Sequence, residues 1–75
     1  MSWSAEANQS MEFVKTSAQA SPQEMGVLLA QMSTWASNNP NGGKHFIEFG
    51  KLRNHGVSFE VSNGEISNVN YGDTL

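Results

Sequence analysis

A change of hydrophobic period at Pro40-Asn41-Gly42-Gly43 constrains this chain more than any other feature. Before it, apolar residues recur at steps of three and four, the spacing of one helix face. After it, they alternate, the spacing of a half-buried strand. Proline disfavours helical geometry in the residue before it, and the two glycines complete the break. The chain therefore divides into a helical first half and a stranded second half.

In the first half, Trp3, Ala7, Met11, Val14 and Ala18 form one stripe and predict a helix over about 3–19. Phe13 falls off that stripe, so either this helix is buried on two sides or Phe13 is partly exposed. Ser21-Pro22-Gln23-Glu24 reads as a capping box with proline at the first helical position. It opens a second helix over about 22–38, with Met25, Leu28, Leu29, Met32, Trp35 and Ala36 on its apolar face. Gly26, Ala30, Ser33 and Ser37 make a separate small-residue strip on that helix. The first helix packed against the strip is one reading, and a homodimer contact is the other.

In the second half, strands are expected over about 44–52, 57–62 and 65–71. Asn63-Gly64 is a two-residue hairpin signal for a type I′ turn. A two-residue turn pairs Ser62 with Glu65 and Val61 with Ile66. Regular continuation would turn Val69 and Tyr71 away from the core, because a one-residue slip exchanges the faces of a strand. One β-bulge at Ser67-Asn68 restores them and sets Tyr71 opposite Val57. The expected fold is α+β: two N-terminal helices packed on a three-stranded antiparallel meander, with residues 72–75 as a tail.

At 75 residues the chain makes one small domain over 1–75, with a thin core. It has no cysteine, so neither disulfides nor thiolate metal sites reinforce it. The N-terminus lacks the basic and apolar regions of a signal peptide, and the longest aliphatic run, Val27–Ala30, is too short to span a membrane. A cytoplasmic location is the resulting expectation.

The formal net charge is −3, which opposes the counterion-driven attraction that nucleic-acid binding needs. The cations gather in one segment, where Lys44, His45, Lys51, Arg53 and His55 form a candidate anion contact. Gly42-Gly43-Lys44 is not a phosphate loop, since Asn38 and His45 occupy the positions where that motif needs glycine and Ser or Thr. His45 and Glu48 are three apart and would point to opposite faces of a strand, so they do not make a metal pair. No strained nucleophile elbow of the G-x-S-x-G type occurs. These readings predict no enzyme, no cofactor and no metal.

What remains is a non-enzymatic interaction module of the inhibitor, immunity or adaptor type, docking onto a partner protein. Trp3, Phe13 and Trp35 are its candidate contact residues, and the sheet edges can add a strand. The alternatives are an anion or nucleic-acid binder using residues 44–55, and a homo-oligomeric structural subunit.

Overall fold

The computed structural model describes residues 2–50 and 55–73. Strand β1 (Ser2–Trp3) leads into helix α1 (Ala5–Ala18) and helix α2 (Pro22–Asn38). Strands β2 (Gly43–Glu48), β3 (His55–Ser62) and β4 (Glu65–Asp73) follow. Both helices cover one face of a four-stranded sheet of order β1-β4-β3-β2. The α+β class and the helices-then-strands order agree with the sequence reading.

The fourth strand corrects that reading. Trp3 is not on α1, because Ser4 ends the extended segment. Ser4 has strand-like φ and ψ of −67° and 156°, and its Oγ accepts the Ala7 N–H at 3.0 Å as an N-cap. Upstream, Ser2 N–H donates to the Gly64 carbonyl at 2.8 Å, and Ser4 N–H to the Ile66 carbonyl at 3.0 Å. These bonds lay β1 parallel to the start of β4, with Trp3 beside Ile66.

Helix α2 starts as the sequence dictates. Ser21 Oγ accepts the Glu24 N–H at 3.2 Å, and Ser21 N–H donates to Glu24 Oε1 at 2.8 Å. Helix α1 ends at Gln19, whose left-handed φ of 52° lets its N–H reach the Lys15 and Thr16 carbonyls. The chain can then reverse within two residues.

The β3–β4 hairpin forms in the expected register. Asn63 and Gly64 both have positive φ, 51° and 73°, as a type I′ turn requires. Ser62 pairs with Glu65, Val61 with Ile66 and Val57 with Tyr71. The register shifts between Ser58 and Glu60, where Asn68 and Val69 together face Phe59. Asn68 is the extra residue of this bulge, with φ 52°, and its Nδ2 donates to Glu60 Oε1 at 2.7 Å. The bulge keeps Ile66, Val69 and Tyr71 on one face although Ile66 and Val69 are three apart. The turn also anchors the loop between α2 and β2. Gly64 N–H donates to the Pro40 carbonyl at 2.9 Å, and Asn63 N–H to Asn41 Oδ1 at 2.8 Å.

The core lies between the helices and the sheet. Ala7, Met11 and Val14 of α1 and Met25, Leu28, Met32 and Ala36 of α2 meet Val57, Phe59, Val61, Ile66 and Val69. Strand limits differ modestly from expectation. β2 begins at Gly43 and ends at Glu48, β3 begins two residues early at His55, and β4 continues through Asp73. Of the expected extension of the first strand, Phe49 and Gly50 are described and lie beyond the end of β2, while Lys51 and Leu52 lie outside the described residues, as do Thr74 and Leu75. The small-residue strip of α2 does not receive α1. A Cβ added at Gly26 would meet nothing within 4 Å, so the strip faces solvent.

Candidate docking surfaces

The described sheet has two edges: β2 on one side, and on the other the short β1 with the part of β4 that it does not cover. The register of β2 with β3 sets His45 opposite Phe59 and Ile47 opposite Val57. Side chains of successive strand residues alternate between faces. His45 and Ile47 therefore point to the helix side, while Lys44, Phe46 and Glu48 point to the open side of the sheet. The backbone polarity follows from one further bond. Phe49 N–H donates to the His55 carbonyl at 3.0 Å. In an antiparallel ladder hydrogen-bonded pairs alternate, so Ile47, His45 and Gly43 also turn their amides toward β3. The N–H and C=O groups of Lys44, Phe46 and Glu48 then point outward along the edge.

Above this edge, on the helix side, α2 and β2 enclose an open cleft of about 530 Å³. Gln31, Thr34, Trp35 and Asn38 of α2 form one wall, and His45 and Ile47 of β2 form the other. Trp35 and His45 stack face to face, with ring centroids 4.1 Å apart and planes within 5°. The buried Phe59 ring meets both edge-on, at 5.7 Å from Trp35 and 5.8 Å from His45. Such edge-to-face contacts fix ring orientation as well as burying area. The loop braces the other side of Trp35. Its carbonyl accepts Asn39 Nδ2 at 2.9 Å, and Gly42 lies so close that an added Cβ would fall 2.5 Å from Trp35 Cη2. Val27 continues this flank of α2 one turn before Gln31 and is 58% exposed.

A second cleft, about 370 Å³, separates α1 from α2. Trp3, Met11, Met25 and Leu29 supply its apolar lining, with Glu12 and Lys15 at its mouth. Leu29 is 40% exposed there.

The three aromatic residues singled out in the sequence do not converge. Trp3 lines the cleft between the helices, Trp35 lines the cleft beside β2, and Phe13 stands on the outer side of α1 at 65% exposure. The first of the two readings for Phe13, burial on a second side, is thereby removed. The candidate anion contact also disperses. Lys44 lies on the open face of the sheet, and His45 lies on the opposite face against Trp35. His55 opens β3 on the helix side, with its ring 6.0 Å from that of Tyr71. Lys51 and Arg53 lie outside the described residues. His45 is half-buried within β2, because Trp35 reaches it from α2.

The signal for this surface was present in Lys44-His45-Phe46-Ile47-Glu48, whose two faces carry different chemistry. Among the described residues no group of three His, Asp or Glu side chains could hold a metal ion. No helix among the described residues is long and apolar enough to cross a membrane. The chain matches no protein-family model, no curated protein and no solved structure.

Proposed function

We propose that this protein is a non-enzymatic interaction module that docks by strand addition at β2, with the cleft beside Trp35 receiving side chains of the added strand. The observation that carries this reading is the juxtaposition of outward backbone groups at Lys44, Phe46 and Glu48 with an open apolar cleft on the same edge. Strand addition works through that combination. Main-chain hydrogen bonds give the affinity, and pockets for alternate side chains give the specificity. The rigid Trp35–His45 stack on its Phe59 floor supports the same reading, since a wall already held in place loses little freedom on binding.

Thr34→Arg tests this. Thr34 is exposed on the outer wall of the cleft, so a long charged side chain there fills the cleft and leaves the core intact. Proteins captured by the wild type should be lost with Thr34→Arg and retained with Phe13→Ala, which alters the far side of α1. The expected loss of affinity is about 2 kcal/mol or more, the size of a blocked hot spot. Equal capture by Thr34→Arg and the wild type, with matched circular dichroism, would remove this surface from consideration.

A further inference from the structure

We infer that the strand added at β2 is the β2 of a second copy of this chain, in one defined register. This rests on the reading of the β2 edge as the docking surface. A two-fold axis normal to the sheet makes two β2 strands antiparallel, and closed two-fold pairing is the commonest form of self-association. The outward backbone groups belong to Lys44, Phe46 and Glu48. Only registers that set these residues against one another form the ladder.

Charge then chooses among those registers. With the axis at Phe46, Phe46 faces its own copy and Lys44 faces Glu48 of the other chain, twice by symmetry. All three outward residues pair, and both charge contacts are attractive. With the axis at His45 or Ile47, only two of the three outward residues pair with each other, each time a charge against Phe46. With the axis at Lys44, two lysines face each other. With the axis at Glu48, two glutamates do. Like charges directly opposed across a ladder are destabilising, and opposite charges are favourable. The sequence Lys44-His45-Phe46-Ile47-Glu48 is thus self-complementary about its centre.

The opposite face of the ladder agrees. In the Phe46-centred register His45 stands across from Ile47 of the second copy, in the closely spaced pairs of the ladder. Both residues are half-buried in the single chain, and both line the cleft. The two clefts would merge across the axis with the Trp35–His45 stacks at their centre. Gln31, Thr34 and Asn38 form the polar rim on each side. The product is a continuous eight-stranded sheet with both α2 helices on one face.

The test is sedimentation velocity with light scattering on the full chain, from about 1 to about 500 µM, a span that brackets micromolar dissociation constants. The wild type should show a dimer mass that falls with dilution. Lys44→Glu alone, or Glu48→Lys alone, changes two symmetry-related contacts from attraction to repulsion and should weaken the dimer roughly tenfold or more. The double variant Lys44→Glu with Glu48→Lys should restore it. Mixing the two single variants should give a heterodimer stronger than either homodimer, because every pair is then opposite in sign. A monomer throughout the range overturns the inference, as does a dimer indifferent to Lys44→Glu. A monomeric protein whose capture of another protein is abolished by Thr34→Arg would leave the docking module standing and remove only the second copy as its occupant.

Discussion

Phe59→Ala is expected to lower the free energy of unfolding by about 3–5 kcal/mol, the usual range for emptying a buried phenylalanine site. Phe59 is completely buried at the middle of β3, the central strand between β2 and β4. It stands beneath α2 and faces the bulge at Asn68 and Val69. The sheet is held by hydrogen bonds on both sides of this position and cannot collapse into the space, so most of the cavity would persist. Small domains have total stabilities near the low end of about 5–15 kcal/mol. The loss therefore takes much of what is available, and the unfolded fraction should become measurable without denaturant. Urea titration followed by far-ultraviolet circular dichroism gives the number. Phe59→Leu, which keeps most of the volume, should lose far less. Phe59 is also the floor beneath Trp35 and His45, so Phe59→Leu should leave a folded protein whose tryptophan emission shifts as the stack loosens. Loss of less than about 1 kcal/mol in Phe59→Ala would mean that α2 settles onto the sheet, and that the cleft walls are not fixed by this ring.

The features that could be read in advance are those whose cause is local. The Ser21–Glu24 box satisfies backbone groups within one turn, and it placed the start of α2 at Pro22. Asn63-Gly64 needs two positive φ angles that few other residue pairs tolerate. The need for a bulge also followed from counting, because Ile66 and Val69 cannot share a face in a regular strand, although it lies at Asn68-Val69, one residue beyond the expected Ser67-Asn68. What stayed hidden depends on residues far apart in the chain. β1 has two residues, too few to show a period, and Trp3 happens to sit four before Ala7. Its strand state comes from the carbonyls of Gly64 and Ile66, more than sixty residues later. The Trp35–His45 stack likewise joins a helix to a strand across Pro40, and neither residue announces the other. The alternation of β2 was obscured by apolar residues on both faces, Phe46 on one and Ile47 on the other. Phe46 lies on the open face because it covers a glycine in the next strand.

That glycine carries the second large effect. Gly56→Ala should destabilise the protein by about 2–3 kcal/mol, by overpacking rather than by loss of contact. The usual expectation has the opposite sign. Glycine in a strand loses more chain entropy on folding than alanine does, so replacing it commonly stabilises by about 0.5–1 kcal/mol. Gly56 is buried, pairs with Glu48 on one side and Gly72 on the other, and has no positive φ that would by itself require glycine. What forbids a side chain is the neighbour. An added Cβ would fall 2.6 Å and 2.8 Å from Cζ and Cε1 of Phe46, and would also run into the Ile47 carbonyl oxygen. The ring can swing aside, but the carbonyl belongs to the β2–β3 ladder and cannot. Gly26→Ala is the contrast, since it stands in the interior of α2 with nothing within 4 Å of its added Cβ. It should stabilise by up to about 1 kcal/mol through helix propensity. Opposite signs for these two glycine-to-alanine changes in urea midpoints would identify steric overlap at the β2–β3 ladder as the cause. Combining Gly56→Ala with Phe46→Ala should recover only part of the loss, because the clash with the Ile47 carbonyl remains. Full recovery would assign the whole penalty to the aromatic ring, and equal destabilisation at Gly26 would show that the close approach at Gly56 costs nothing in particular.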